Sequence, residues 1–217
     1  MAEKWKLLDP SIGGLQQGML EEAIENALCE DGDIRNICFV SERVDGIEGQ
    51  TLDISGCRFE HCTFGEMDFG RLSFVDCVFD KCELSNLRLS SAAFQRVQFL
   101  NCRMTGMELM RGALMSVLFS SCMMDYLSLS ECKLDRVVFE ECRLRESLWG
   151  DVKLPKVRFD HCDLSRAQWL RTPLMGIDLS TCQIPGWNIS LFDLKGAKVT
   201  AAQVIELSGL LGVEIVS

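Results

Sequence analysis

Cysteine and histidine are the residues of this sequence best suited to covalent or metal chemistry. The chain of 217 residues contains twelve cysteines and two histidines, and each histidine directly precedes a cysteine. A histidine beside a cysteine suggests a base and a thiolate nucleophile, while clustered thiols can bind metals or form disulfides. Seven cysteines recur at intervals of twenty residues: Cys62, Cys82, Cys102, Cys122, Cys142, Cys162 and Cys182. Whether any of them can react depends on the elements that position them.

Those elements follow from a period of five among the apolar residues. Every fifth residue from Ile54 to Val199 is large and apolar, at all thirty positions. Five residues turn an α-helix by about 500°, so residues at this spacing would not lie on one side of a helix. Along a strand, a residue five positions later points to the opposite face. The period therefore predicts a coil that turns a corner every five residues. Four corners close a square, so residues twenty apart should stack about 4.8 Å from each other.

Columns of similar side chains at intervals of twenty support this stacked coil. The cysteine series is one column. A second column holds Phe59, Phe79, Phe99, Phe119, Phe139 and Phe159, and a third holds Cys57, Cys77, Val97, Val117, Val137, Val157 and Ile177. Stacked interiors of this kind predict an all-β solenoid of roughly seven to eight coils.

The five-residue unit has a recurring composition. Stretches such as Cys57–Phe64, Cys77–Leu84 and Cys132–Phe139 repeat a small residue, a polar residue, Leu or Phe, and two variable positions. In this pattern the chain resembles the pentapeptide-repeat family. The resemblance implies a right-handed quadrilateral β-helix. A weaker frame runs back to Ile34, so we predict that the β-helix covers residues 34–199.

Both ends of the chain are predicted to be caps, because an open solenoid exposes unpaired backbone at each end. Residues 1–33 form the predicted N-terminal cap. The apolar spacing from Leu15 to Leu28 indicates an amphipathic helix that lies over the first coil. Cys29 and Cys38 are expected to be ordinary buried thiols near this helix.

Residues 200–217 form the predicted C-terminal module. A capping box predicts that a helix begins after Thr200, Gly212 predicts its end, and a short strand follows over 213–216. The module is similar to that of the quinolone-resistance (Qnr-like) pentapeptide proteins, which implies a homodimer joined through the C-terminus. The candidate interface consists of Val204, Leu207, Leu210, Leu211, Val213 and Ile215. A monomeric cap is the alternative explanation of this apolar stripe.

The repeat argues against chemistry at the cysteines and histidines. All ten repeat cysteines fall on the inward small position, where Val, Ala and Met also occur, as expected for a small packing residue. His61 and His161 fall on outward positions, whereas the cysteine after each faces inward, so the two cannot form a nucleophile and base. Phosphate-binding glycine loops and hydrolase or protease motifs are absent from the sequence. We therefore expect no enzyme activity, no cofactor and no metal, with a thiol metal or redox site as the less favoured alternative.

Composition and charge restrict the partners. Hydrophobic residues make up 47% of the chain and the net charge is −10, with 32 acidic and 22 basic side chains. This charge argues against direct binding of nucleic acid, which needs surplus Lys and Arg. The sequence shows no membrane-length apolar run and no secretion signal, so we expect a cytoplasmic protein. Residues 54–199 are neutral overall, and the excess of acid lies mainly in residues 1–53.

Two functions remain, both on the outer surface. The resemblance to the Qnr-like group implies a DNA mimic that binds and protects DNA gyrase or topoisomerase IV. A partial acidic column would serve it: Glu60, Asp80, Glu140 and Asp160. The alternative is a rigid scaffold that binds an unrelated protein through its acidic N-terminal cap or an apolar corner. That corner consists of Val78, Met115, Leu118 and Val138, all predicted to face outward.

Overall fold

The computed structural model describes residues 5–29 and 32–212. In these ranges the strands are β1 (Gln16–Gln17), β2 (Ile34–Arg35), β3 (Ile37–Val40), β4 (Arg43–Val44), β5 (Ile47–Ser55), β6 (Arg58–Glu60), β7 (Thr63–Phe64), β8 (Met67–Asp80), β9 (Arg88–Ser90), β10 (Ala93–Leu100), β11 (Glu108–Met110), β12 (Ala113–Ser120), β13 (Ser128–Ser130), β14 (Lys133–Glu140), β15 (Leu148–Gly150), β16 (Lys153–Asp160), β17 (Gln168–Leu170) and β18 (Asn188–Ile189). The helices are α1 (Leu20–Cys29), α2 (Leu191–Leu194) and α3 (Ala201–Leu207), and a 3-10 turn covers Ser208–Leu211.

The strands stack in parallel with a register of twenty residues, as the repeat predicts. Phe99 lies opposite Phe79 on one side and Phe119 on the other. One sheet follows the order β1-β3-β6-β8-β10-β12-β14-β16, with β2 and β5 attached, and a second follows β9-β11-β13-β15-β17-β18. Together with the pair β4–β7 and a row of single bridges, these sheets form a quadrilateral β-solenoid.

The solenoid has about nine turns, more than the seven to eight predicted. The additional turn lies at the N-terminal end, where the five-residue frame is weak. There β2, β3 and β4 already pair with β5, β6 and β7, so the coil is established before Ile54.

The corners are made by residues in the left-handed backbone conformation. Among the described residues, twenty-one non-glycine residues have φ between 50° and 59°, mostly two positions after a residue of the apolar frame. They include bulky side chains such as Tyr126 and Arg136. An L-residue in this region costs roughly 1–2 kcal/mol, so coil stacking must outweigh a repeated local strain.

The interior is filled by columns of stacked side chains. Seven phenylalanine rings from Phe39 to Phe159 follow one another with centroid separations of 4.6 to 5.2 Å. Trp149 stacks on Trp169 at 4.8 Å, and its indole N–H donates to the hydroxyl of buried Ser147. A small residue beside a large one keeps the cross-section of the coil filled.

The N-terminal cap contains a helix, as predicted, but the helix begins at Leu20 rather than Leu15. The chain before it is extended, because Gln16 and Gln17 pair with Ile37 and Cys38 as strand β1. Leu20, Ile24 and Ala27 of α1 are buried against the first turns of the solenoid.

The C-terminal module also begins as predicted. Thr200 and Gln203 form the reciprocal capping box of α3. The Gln203 amide donates to the carbonyl oxygens of Leu179 and Cys182 at 2.8 and 2.7 Å, which fixes α3 on the last turn. The predicted strand over 213–216 lies outside the described residues. No helix of the described part is long and apolar enough to cross a membrane.

Candidate functional site

The ten repeat cysteines are all buried, as predicted. The thiol of Cys122 is within reach of two carbonyl oxygens, that of Phe99 on the preceding turn at 3.3 Å and that of Ser120 at 3.5 Å. Burial raises the pKa of the Cys77 thiol to about 12 and also raises the pKa of Cys132. A protonated thiol is a poor nucleophile and a poor metal ligand, so these two buried thiols serve packing.

The two cysteines outside the repeat, Cys29 and Cys38, are less buried than predicted. Cys29 is exposed and Cys38 is half-buried, so the prediction that both are buried thiols is wrong. Cys29 is the last residue of α1, beyond the buried positions of that helix.

We expect one cysteine, Cys29, to react rapidly with an aromatic disulfide reagent in the native protein. Cys38 should react slowly, because burial raises the pKa of its thiol, and all twelve cysteines should react in denaturant. Colorimetric titration of released thiolate, with Cys29→Ser as the control, measures this. Fast modification of several thiols in the Cys29→Ser variant would contradict the buried column.

The histidines do not form sites with their neighbouring cysteines. His61 and His161 are exposed residues at left-handed corners, with φ of 55° and 50°, whereas Cys62 and Cys162 are buried. The Nδ1 atom of His161 lies 2.9 Å from Asp160. Over the described ranges, no group of three or more His, Cys, Asp or Glu side chains is arranged to hold a metal ion.

The predicted acidic residues lie along one edge of the large sheet. Glu60 pairs in register with Asp80, and Glu140 with Asp160, but Leu100 and Ser120 separate the two pairs. Arg58 contacts both members of the first pair, Glu60 at 2.5 Å and Asp80 at 3.3 Å. The structure therefore aligns all four carboxylates in one column, and Arg58 offsets the negative charge of two of them, Glu60 and Asp80.

Charges elsewhere on the rod are also paired, mostly from one turn to the next. Such pairs are Arg96–Asp76, Arg103–Glu83, Arg88–Glu108, Arg166–Glu146, Arg171–Asp151 and Arg145–Asp163. Exposed pairs contribute little to stability, typically 0–1 kcal/mol each. Their main effect is electrostatic, because opposite charges alternate along the axis and no long run of one sign develops between the two ends.

The predicted apolar corner is largely covered. Val78, Leu118 and Val138 share one column, and Met115 lies in the neighbouring strand position. Met115 is exposed and Leu118 half-buried, but Val78 and Val138 are only 5% and 2% exposed. The expectation that these two valines face solvent is therefore wrong.

An N-terminal segment lies over part of this corner. Residues 5–12, called the strap below, precede β1 and cross the outer face of the large sheet. The backbone N–H of Ser11 donates to Asp76 at 3.0 Å, and the amide of Gln98 donates to Asp9 at 3.3 Å. Val78 lies between these anchors, since it is two residues from Asp76 and pairs with Gln98.

The C-terminal end exposes several large apolar side chains. Of the predicted interface, Val204 and Leu211 are exposed, Leu210 is half-buried, and Val213 and Ile215 lie outside the described residues. Leu207 is buried on the inner side of α3 and is therefore wrongly assigned to an exposed interface. Three further residues in this part of the chain are exposed: Leu191, Phe192 and Ile205.

Comparison with known families decides the identity of the fold. The model of the pentapeptide repeat region matches residues 52–123 and 92–169, which together cover more than half of the chain. The chain belongs to the pentapeptide-repeat family. No curated protein sequence matches this pentapeptide-repeat protein.

Solved structures of similar fold include two pentapeptide-repeat proteins of known name. A trypsin-treated form of QnrB1, a plasmid-mediated fluoroquinolone resistance protein, is 15% identical, with coverage of 86% of this chain and 100% of that chain and a TM-score of 0.40. HetL, a pentapeptide-repeat protein involved in heterocyst differentiation regulation in the cyanobacterium Nostoc sp. strain PCC 7120, is 12% identical. The match covers 83% of this chain and 94% of the HetL chain, with a TM-score of 0.37. At these identities and TM-scores, neither structure supports a conclusion about this chain.

Two surface features of this pentapeptide-repeat protein escape the sequence reasoning. Phe192 carries a signal that could have found it, since it is the one phenylalanine outside the five-residue frame, and it is 78% exposed. The strap carries a weaker signal. Trp5, Leu7, Pro10 and Ile12 are half-buried between exposed residues, but an irregular alternation over eight residues is too short to predict a contact.

Proposed function

We propose that this pentapeptide-repeat protein is a non-enzymatic binding protein, a rigid rod that dimerises through its C-terminal end and binds a protein partner with its acidic surfaces. The observation that carries the proposal is the contrast between the two ends of the rod. Residues 1–53 have a net charge of −8, whereas the described C-terminal end exposes apolar side chains. Apolar clusters on a surface mark protein contacts, and an acidic surface favours basic partners.

The acidic end also has a suitable shape. An open groove of about 480 Å³ runs beside Glu48, Glu66 and Asp68, with Arg88 on its far side. Exposed carboxylates around a concave surface favour the insertion of lysine or arginine side chains from a partner. If the rods join tail to tail, a dimer presents two such ends pointing away from each other.

We expect the double variant Phe192→Glu and Ile205→Glu to be monomeric at concentrations where the wild type is dimeric. Both side chains are exposed in the single chain, by 78% and 61%, so the substitutions leave its fold intact while placing four charges in the proposed interface of each dimer. Light scattering after gel filtration measures the mass. Met110→Glu, at a 40% exposed methionine on the rod, is the matched control. A wild type that stays monomeric at high concentration would refute the dimer.

A type II topoisomerase is the specific partner that the acidic column favours. Glu60, Asp80, Glu140 and Asp160 extend over five turns, about 24 Å at 4.8 Å per turn. Duplex DNA carries one charge per 1.7 Å, so the same length holds about fourteen phosphate charges. The four carboxylates of the column thus have a much lower charge density than DNA, and the acidic N-terminal end is the more densely charged surface.

Gyrase supercoiling and quinolone-dependent cleavage assays test this partner. An effect of the wild type that disappears with Glu60→Gln and Asp80→Asn supports mimicry through the column. An effect that disappears only with Glu48→Gln and Asp68→Asn assigns the contact to the acidic end. Absence of any effect at micromolar protein removes topoisomerases as the partner and leaves the scaffold function.

A further inference from the structure

The contacts of the strap indicate what kind of polypeptide segment the outer face of the large sheet can bind. Ser11 contacts Asp76 and Asp9 contacts Gln98, which lies one turn further along the rod. The strap therefore advances by one turn for every two residues and crosses the strands. Extrapolated at this spacing, Leu7 reaches the turn of Leu118 and Trp5 reaches the turn of Val138.

Burial of the sheet matches this course. Val78, Ser116 and Val138 are at most 5% exposed, although their positions in the repeat point outward. On the next turn, beyond the extrapolated end of the strap, Lys156 and Arg158 occupy the equivalent positions and are exposed. The low exposure thus ends at the turn of Val138, where the extrapolated strap also ends.

Few contacts hold the strap in place. Its described hydrogen bonds to the solenoid are the two at Ser11 and Asp9, and it forms no strand pair. Gly13 and Gly14 connect it to β1. Gly14 has φ of +67°, and a Cβ at either glycine would touch nothing within 4 Å, so this junction is open and suited to a hinge. The strap can therefore leave without disturbing a strand of the solenoid.

The covered face also retains unused polar atoms. Ser116 Oγ and Arg136 Nε are buried, and neither has a hydrogen-bond partner among the described residues. At the extrapolated spacing, the strap residues nearest to these turns are the apolar Leu7 and Trp5. A buried donor without an acceptor costs about 1–3 kcal/mol, so the strap is an imperfect ligand for the face that it covers.

We propose that the face of Val78, Ser116, Leu118, Arg136 and Val138 is a binding surface for an extended segment of another protein, and that the strap occupies it as an autoinhibitory stand-in. The strap indicates the chemistry of the partner segment. Like the strap, the partner segment forms no strand pair with the sheet and directs apolar side chains toward it. Unlike the strap, it presents a carboxylate or amide oxygen to Ser116 and Arg136. This surface lies beside the acidic column on the same strands, since Val78 and Val138 are two residues from Asp80 and Glu140. It is separate from the C-terminal end, and the inference does not depend on a topoisomerase partner.

A labelled synthetic peptide with the sequence of residues 5–12 is the probe. The full-length variant Trp5→Ser and Leu7→Ser has a weakened strap, and we expect it to bind the peptide at least about tenfold more tightly than the intact chain, in which the strap competes at high effective concentration. Fluorescence anisotropy measures both affinities. Equal affinities, or no binding by the weakened variant up to the solubility limit of the peptide, would overturn the proposal.

Two further substitutions in the weakened variant locate the contact. Leu118 and Leu148 are both half-buried outward leucines, but Leu118 lies on the extrapolated course of the strap and Leu148 on the second sheet. We expect Leu118→Glu to reduce peptide binding at least about tenfold, because it places a charge in the apolar contact. Leu148→Glu should leave the affinity unchanged, and circular dichroism verifies that both variants fold. An equal loss with Leu148→Glu would show that the peptide does not bind this face.

Discussion

Replacement of Phe99 by alanine is expected to lower the free energy of unfolding by about 3–5 kcal/mol. Its ring is 1% exposed and stacks on Phe79 at 4.8 Å and on Phe119 at 5.0 Å. It also meets Phe94 edge to face at 5.8 Å. Alanine would leave a cavity in the middle of the column, and neighbouring turns that are hydrogen-bonded to each other cannot close it.

Urea denaturation followed by circular dichroism measures this loss as a shift of the midpoint. Tyr126→Ala is the matched control, since this ring is 57% exposed and lies outside the columns and outside the proposed dimer interface. It should change the stability of a monomer by less than about 0.5 kcal/mol. Similar losses for the two variants would mean that the phenylalanine column does not carry the stability of the rod.

The interior of this protein is predictable because its structure repeats along one axis. A residue such as Phe99 contacts chiefly its own turn and the turns before and after it. The interval of five therefore shows that its side chain points inward, and the interval of twenty identifies the residues that stack on it. The same logic correctly places the cysteines inside and His61 outside. The left-handed corners were not predicted, because Tyr126 or Arg136 has no intrinsic preference for that conformation and the stacked turns impose it.

The surface is less predictable, because non-repeating segments modify it. Val78 and Val138 have outward positions in the repeat, yet they are only 5% and 2% exposed. The strap, more than sixty residues earlier in the chain, is anchored near Val78 by its hydrogen bond to Asp76. Similarly, Leu207 belongs to an apolar stripe of α3 whose inner and outer sides the sequence does not separate. The last turn of the solenoid decides which side of α3 is the inner one. The Gln203 amide donates to two carbonyl groups of that turn, so Leu207, four residues later in the helix, also faces inward.

Replacement of Cys122 by aspartate is expected to prevent stable folding, whereas replacement by serine should cost only about 1 kcal/mol. Cys122 is 1% exposed in the middle of the thiol column, between Cys102 and Cys142. A carboxylate there has no counter-charge, and an unpaired buried charge costs several kcal/mol even after the pKa adjusts.

Serine is tolerable because the structure already contains a hydroxyl in an equivalent setting. The hydroxyl of buried Thr172 lies within donor distance of two carbonyl oxygens, those of Trp149 and Leu170, twenty-three and two residues earlier, at 3.0 and 3.1 Å. Cys122 has the same offsets to its two acceptors, Phe99 and Ser120. Cys29→Asp, at the exposed cysteine, is the control for the added charge. Thermal unfolding of the four proteins measures the order, and a Cys122→Asp variant as stable as Cys29→Asp would show that the column tolerates charge and is open to water or ions.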